Sequence, residues 1–246
     1  MIKDKIALVT GASSGIGYTT SIALSKAGAK VVAGARRVDR LEELKRNVEQ
    51  MGNEILIQKL DVTSQNDCNN FVKTAVDKYG NIDILINNAG LMPLSFVKNL
   101  KVDEWDRMID VNIKGVLYCT AAVIPFMIKN NSGHIVNISS VAGRIVFPAG
   151  NVYCATKHAI TAFSEGLRQE LSVKNNIRVT CIEPGVVETE LTNTITDNNL
   201  EKFVESVKKM ESLKSEDIAN SILFALQAPE HVNINEIMIR PVKQDR

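Results

Sequence analysis

A phenol and an ammonium stand four residues apart in Tyr153-Cys154-Ala155-Thr156-Lys157, near the start of a helical pattern running on through Ala159, Ala162, Phe163 and Leu167. Residues at i and i+4 share one helix face, which puts the two groups side by side. A phenol with a pKa of about 10 is a poor base at neutral pH, and a neighbouring cation favours its phenolate. Such a pair can exchange a proton with an alcohol or carbonyl while a hydride moves elsewhere. The same spacing also occurs between plain helix-surface neighbours, so the pair needs further partners.

Ser139 and Ser140 follow the apolar run Ile135-Val136-Asn137-Ile138. A hydroxyl at the carboxyl end of a strand could hold and polarise a substrate oxygen. Asn112 sits between Val111 and Ile113 in a helix-like segment beginning near Asp103. A polar amide on an apolar stripe needs a partner, either structural backbone or a proton-carrying water.

A second chemistry lies at the other end of the chain. Thr10-Gly11-Ala12-Ser13-Ser14-Gly15-Ile16-Gly17 directly follows the strand-like Ile6-Ala7-Leu8-Val9 and precedes a helix-like stretch from Tyr18 to Ala27. Gly11, Gly15 and Gly17 let backbone approach a pyrophosphate, whose charge meets free N–H groups, Ile16 included, and the positive end of the helix dipole. Ser13 and Ser14 add hydroxyl donors. About twenty residues beyond the glycine turn, the second strand ends Gly34-Ala35-Arg36-Arg37. An acid there would bind a free ribose 2′-hydroxyl, whereas the Arg36 and Arg37 guanidiniums offer a fork for a 2′-phosphate. NADP is therefore favoured and NAD stays open, with Asp39 nearby and solvated surface charges as the plainer reading.

Asp61 closes the third strand in Leu60-Asp61-Val62-Thr63, and Asn87-Asn88-Ala89-Gly90 closes the fourth. The Asp61 carboxylate could accept the adenine amine, and the small Ala89-Gly90 pair admits a ribose. Each also fits an ordinary cap or turn.

Seven short apolar runs, at Ile6–Val9, Lys30–Ala33, Ile55–Ile57, Ile82–Ile86, Ile135–Ile138, Arg178–Ile182 and Glu236–Ile239, alternate with longer segments of helical period. Runs buried on both faces and joined by helical crossovers imply an α/β fold, a single-domain, Rossmann-type, doubly wound parallel sheet of about seven strands with helices on both faces. Between residues 187 and 215 the rhythm breaks into a polar, charged stretch after a strand end, which reads as a mobile substrate lid. No repeat or linker divides the chain, so residues 1–246 form one domain.

The 246 residues are 45% hydrophobic, enough for a sizeable core, and a formal charge of +1 gives no global field for nucleic acid or anionic lipid. Cys68, Cys119, Cys154 and Cys181 form no Cys-x-x-Cys pair, and His134, His158 and His231 are scattered. Neither a disulfide scaffold nor a metal site is expected, and reduced thiols fit a cytoplasmic protein. The N-terminus carries no leader signature, and the longest apolar candidate, Gly115 to Ile128, is interrupted by Thr120 and Pro125, so no membrane association is expected.

Taken in order, Thr-Gly-x-x-x-Gly-x-Gly at 10 to 17, Asp61, Asn-Asn-Ala-Gly at 87 to 90, Asn112, the Ser140, Tyr153 and Lys157 set, and Pro184-Gly185 resemble the classical short-chain dehydrogenases/reductases over essentially the whole chain. The resemblance implies that Tyr153 is the acid/base, that Lys157 binds the nicotinamide ribose and lowers the tyrosine pKa, and that Ser140, with Ser139 its structural neighbour, orients the reacting oxygen. It implies that Asn112 supports a water relay from Lys157. It further implies that Val186, through its backbone, and Thr189, through its side chain, contact the nicotinamide carboxamide.

Gly150-Asn151-Val152-Tyr153, Ile182-Glu183-Pro184-Gly185 and the tail from Asn235 to Pro241 are most similar to the NADP-dependent branch holding 3-hydroxy acid (serine-type) dehydrogenases and clavulanate-aldehyde reductases. A small secondary alcohol or carbonyl is the expected substrate, a 3-hydroxy acid among the options. Arg144 could pair with a substrate carboxylate, although a solvated loop arginine is the commoner case. The alternatives are a 3-oxoacyl thioester reductase, for which no basic docking run is seen, and a non-enzymatic NADP-binding regulator, which would have no use for the intact Ser140, Tyr153 and Lys157 set. The apolar helices at 115–127 and 159–171 suggest a homodimer or homotetramer.

Overall fold

The computed structural model describes residues 2–245, with every side chain among them except that of Lys208. Strands β1 (Ile6–Thr10), β2 (Lys30–Ala35), β3 (Ile55–Lys59), β4 (Ile84–Asn87), β5 (Gly133–Ile138), β6 (Ile177–Pro184) and β7 (Glu236–Ile239) form one sheet in the order β3-β2-β1-β4-β5-β6-β7. All six pairings are parallel. The expected strands are all present. β4 begins two residues late, where Asp83 instead turns its carboxylate to the Ile6 N–H at 2.9 Å.

Strand side chains alternate between two apolar layers, as the pleat requires. Ala7, Val9, Val31, Ala33, Ile84 and Ile86 face a layer completed by Leu24 of α1 (Gly15–Lys26), Leu41 and Leu44 of α2 (Val38–Gln50), and Ile218 and Ile222 of α8 (Ser215–Gln227). Leu8, Val32, Leu85 and Ile135 face the other, completed by Phe71 of α3 (Gln65–Tyr79), Val123 of α5 (Gly115–Asn130) and Leu167 of α6 (Asn151–Asn175). The chain lays β2 and β3 to one side of β1 and returns to place β4 on the other. That reversal opens a crevice at the carboxyl ends of β1 and β4.

Helix α4 (Val102–Ile109) runs into α5 through a π-helical turn at Asp110–Lys114. By length and apolar character alone, the continuous run Val102–Asn130 is enough to cross a bilayer. Its stripe of Val116, Cys119, Val123 and Met127 is buried, with Cys119, Val123 and Met127 in the sheet layer that also holds Phe71 of α3, the position of a core helix. The polar stretch from 187 to 215 is more ordered than its composition implies. It holds short 3₁₀ turns at Glu190–Thr194 and Asn198–Leu200 and a helix, α7 (Glu201–Lys209). The carboxylate of Asp197, buried inside it, accepts hydrogen bonds from Ser95 Oγ at 2.8 Å and Asn99 Nδ2 at 2.6 Å, which ties the segment to the loop after β4.

Candidate active site

Gly11 and Gly15 adopt φ of +65° and +53°, values that favour glycine, and so let β1 turn sharply into α1. Gly17 serves packing. A Cβ there would collide with Asn88 Nδ2 and the Gly11 carbonyl. Asn88 Nδ2 donates to the carbonyls of Thr10 at 3.0 Å and Gly11 at 3.2 Å, while the N–H groups of Asn88 and Ala89 donate to Thr10 Oγ1. The end of β4 is thereby fastened to the glycine turn. Ser14, the N-cap of α1, makes no side-chain capping bond. The first amides of α1 are left facing outward, an electropositive seat for an anion.

Arg36 and Arg37 stand exposed at the end of β2. Arg37 bends over the glycine turn, donating to Ser13 Oγ at 3.1 Å, to Ser14 Oγ at 2.7 Å and to the Glu190 carboxylate at 2.8 Å. The arginine next to it holds Glu190 below the usual carboxylate range. Glu190 lies 153 residues away in sequence, and no local pattern announces its contact with the cofactor end. Asp61 closes its own turn, one carboxylate oxygen accepting from Thr63 N at 3.0 Å and Thr63 Oγ1 at 2.8 Å.

Tyr153 and Lys157 project from the first turns of α6, on the face that buries Thr156 and Ile160. Lys157 Nζ donates to the Ile138 carbonyl at 2.9 Å and lies 5.7 Å from the centroid of the Tyr153 ring. Burial pushes the phenol up to about 12, and a hydrogen bond with Ser140 pulls the other way. Burial also lowers the ammonium to about 8. Lys157 is turned toward Ile138 here, and burial outweighs any charge effect on the phenol. The expected depression of the tyrosine pKa is not present in this arrangement. The two serines make different contacts. Ser139 Oγ donates to the Lys157 carbonyl at 3.0 Å and pairs with Thr161 Oγ1 at 2.9 Å, whereas Ser140 Oγ donates to the Pro184 carbonyl at 3.3 Å and accepts from Ala142 N at 3.1 Å, beside the phenol whose pKa it pulls down.

Asn112 takes the backbone partner that its place on an apolar stripe allowed. Its amide accepts from Leu91 N and donates to Leu91 O, both at 2.9 Å, and also donates to Thr156 Oγ1 at 3.2 Å. The side chain holds the exit loop of β4 against α6. It stands in the π-helical turn, a distortion common at functional sites because it breaks the regular backbone ladder. The Val186 N–H donates to Gln244 Oε1 at 2.8 Å. Among the described residues no acceptor takes the N–H of the next residue, Val187, whose neighbours pair with Leu213 on either side. Thr189 Oγ1 accepts from Leu191 N at 3.3 Å, which leaves its hydroxyl proton available. Arg144 is exposed but paired, and its guanidinium is held by carboxylates. It forks onto the buried Glu183 at 2.9 Å and 3.0 Å and also reaches Glu236.

One cavity of about 1330 Å³ unites these groups, larger than the ~300–1,000 Å³ usual for a single drug-sized ligand. Of the residues expected in the site, Gly11, Ser13, Ser14, Gly15, Ile16, Arg36, Arg37, Asp61, Val62, Asn88, Ala89, Gly90, Ser140, Tyr153, Lys157, Val186 and Thr189 line it, and Gly17 and Asn112 support it from behind. Residues 5–200 match the family model for short chain dehydrogenase. The chain belongs to that family. As a short-chain dehydrogenase it is an oxidoreductase. It is 50% identical over 244 residues, 99% of this chain and 98% of the relative, to an uncharacterized oxidoreductase of Staphylococcus saprophyticus. It superimposes on the closed form of a serine dehydrogenase complexed with NADP+ with a TM-score of 0.91 at 38% identity, covering 98% of this chain and 96% of the other. An alcohol dehydrogenase of the archaeon Thermococcus sibiricus, complexed with 5-hydroxy-NADP, follows with a TM-score of 0.86 at 29% identity, covering 98% of both chains.

Proposed function

We propose that this short-chain dehydrogenase is NADP-dependent and interconverts a secondary alcohol and a carbonyl, with Tyr153 as the proton carrier. The observation that carries the reading is that Tyr153, Ser140 and Lys157, with the ammonium 5.7 Å from the phenol ring, line the same cavity as the uncapped start of α1.

The residues present fit a phosphorylated dinucleotide. The uncapped start of α1, with Ser13 and Ser14, takes the pyrophosphate; Arg36 and Arg37 take a 2′-phosphate; Asp61 and Val62 flank the adenine; Asn88, Ala89 and Gly90 flank the adenosine ribose. Lys157 binds the nicotinamide ribose. The N–H of Val187, which no acceptor takes among the described residues, serves the carboxamide rather than that of Val186, with Thr189 adding its hydroxyl. Solved neighbours carrying NADP support the choice over NAD.

Bound there, the nicotinamide would supply or accept the hydride. In reduction Tyr153 Oη gives its proton to the carbonyl oxygen, and in oxidation it takes the proton from the alcohol. Ser140 Oγ donates a hydrogen bond to the same oxygen and so fixes it beside the phenol. The Lys157 ammonium stabilises the phenolate left behind and returns the proton. A relay to solvent at Asn112 has to use the main chain, because the side-chain amide is committed to Leu91 and Thr156.

A 3-hydroxy acid would need a cation near Ser140 and Tyr153, and Arg144, the arginine the sequence offered for it, is held by Glu183 and Glu236. Residues 187–215 act as the lid. Leu117 and Ile128 on α5 and Phe224 on α8 are exposed apolar side chains that suit a homodimer or homotetramer. Four unbridged, buried cysteines suit a reducing cytoplasm. The test is turnover of a panel of ketones, aldehydes, hydroxy acids and a 3-oxoacyl thioester with NADPH and NADH separately. Carbonyl reduction with an NADPH preference is expected, an NADH preference defeats the cofactor choice, and no turnover with either defeats the reading.

A further inference from the structure

Asp197 is 6% exposed and divides its carboxylate between two segments of the chain. Oδ1 accepts from Asn199 N at 3.1 Å and Asn199 Nδ2 at 2.9 Å, the local bonds that open the 3₁₀ turn at Asn198–Leu200. Capping a turn asks for no more than that. Oδ2 accepts instead from Ser95 Oγ at 2.8 Å, Asn99 Nδ2 at 2.6 Å and Phe96 N at 3.3 Å, residues 98 to 102 positions earlier. Thr194 Oγ1, accepting from Met92 N at 3.0 Å, is a second tie between the same two segments. Burial pushes the Asp197 carboxyl up, but hydrogen bonds from Ser95, Asn199 and Phe96 outweigh it and bring it down to about 2. Both oxygens are therefore acceptors at any working pH.

The segments joined in this way both wall the cavity, Leu94 and Phe96 from the loop after β4, and Leu200 and Phe203 from the stretch between 187 and 215. Leu94, Phe96 and Leu200 also belong to the apolar cluster that holds Tyr153. Asp197 stands outside the lining, so it touches these walls only by holding their backbones and neighbours.

We propose that Asp197 is a positioning residue for the substrate: by bonding both segments at once it sets the wall of Leu94 and Phe96 against that of Leu200 and Phe203, and so how a substrate is held with its oxygen at Ser140 and Tyr153. This rests on the reading of Tyr153 as proton carrier and adds the group that fixes the substrate's side of the site. The position requires a carboxylate. Main-chain N–H groups cannot reverse their polarity, so the Phe96 N–H on one oxygen and the Asn199 N–H on the other leave no place for an amide nitrogen. Asparagine keeps either the local cap or the distant tie.

The test compares the parent with Asp197→Asn and with Asn99→Ala, which removes one distant donor and leaves the carboxylate. Amide hydrogen exchange over residues 187–209, which needs no turnover, is expected to quicken about 10-fold or more in Asp197→Asn and by less in Asn99→Ala. With a carbonyl substrate that the parent reduces, KM is expected to rise about 10-fold in Asp197→Asn while kcat and NADPH affinity stay within about 2-fold of the parent, since Ser140, Lys157 and the glycine turn are untouched. If Asp197→Asn does not fold, Asn99→Ala is read by the same measurements, with a KM rise of about 3-fold expected. Unchanged exchange overturns the tie. Faster exchange with unchanged KM, or with kcat and NADPH affinity falling together, makes Asp197 a structural group only and overturns the positioning role. A parent inactive on every carbonyl with both cofactors defeats the Tyr153 reading and the substrate role with it, while the exchange still decides whether Asp197 holds the two segments.

Discussion

The Lys157 ammonium lies 5.7 Å from the centroid of the Tyr153 ring, and both side chains are buried. Burial costs the ammonium its solvation and lowers its pKa from 10.5 to about 8. Between these two values the unfolded chain holds a proton that the folded chain has released, so stability rises with pH across that window. Lys157→Met removes the charge. It is expected to abolish that rise and to stabilise the fold at pH 7 by on the order of 2 kcal/mol while turnover collapses. Denaturation at pH 7 and pH 10 for both proteins checks this, and a variant less stable than the parent at pH 7 counts against it.

Arg37 serves two masters, the glycine-turn serines and Glu190. A 2′-phosphate competes with the Glu190 carboxylate for the same guanidinium. Arg37→Ala is expected to weaken NADPH binding by roughly 10–100-fold with little change for NADH, and Glu190→Gln to tighten NADPH. Titration of each cofactor by fluorescence reads both effects, and equal losses for the two cofactors would remove the 2′-phosphate argument.

Glu183 is 1% exposed and its charge is met by Arg144. Arg144→Ala strands that carboxylate in the core and is expected to cost about 3–5 kcal/mol in urea unfolding. Arg144→Met with Glu183→Leu is expected to recover most of the loss, since removing both charges removes the uncompensated one. A single variant as stable as the parent contradicts the pairing.

His134 is buried with its Nε2 2.8 Å from Thr180 Oγ1, and its Nδ1 has no partner. Thr180 spends its own proton on the Ile234 carbonyl, so Nε2 carries the imidazole hydrogen. Burial, aided by the charge of Arg178, lowers the pKa from 6.5 to about 3. From pH 6.5 down toward 3 the unfolded chain takes up a proton that the folded chain refuses, and stability falls with falling pH. In His134→Leu this part of the acid limb is expected to vanish, which thermal melts between pH 7 and pH 4 measure. An unchanged limb assigns it to other groups.

The strand-and-helix rhythm made the sheet legible, because continuous apolar runs such as Ile6–Val9 and Ile135–Ile138 are buried on both faces and must alternate with crossovers. The glycine turn and the Tyr153 and Lys157 pair were legible for the same local reason, each being fixed by spacing within one turn or helix. Contacts across the fold were not. Glu190 reaching Arg37, Gln244 occupying the Val186 N–H and Glu183 capturing Arg144 join residues 39 to 153 positions apart, and nothing local to any of them signals the partner. The order within 187–215 was hidden similarly, since its anchor, Asp197, draws its hydrogen bonds from the loop after β4. An amide on an apolar stripe needs a partner, either backbone or water, and the Asn112 side chain pairs with the backbone of Leu91, 21 residues away.

The central claim is that the Tyr153 proton, and not the fold's capacity to bind a dinucleotide, drives turnover. Tyr153→Phe keeps the ring and its packing and removes only the hydroxyl. With a ketone that the parent reduces, the measurement is kcat for NADPH oxidation alongside NADPH affinity by fluorescence titration. A loss of about 10²–10⁴-fold in kcat with unchanged NADPH affinity is predicted, and a variant that keeps parental kcat contradicts the account.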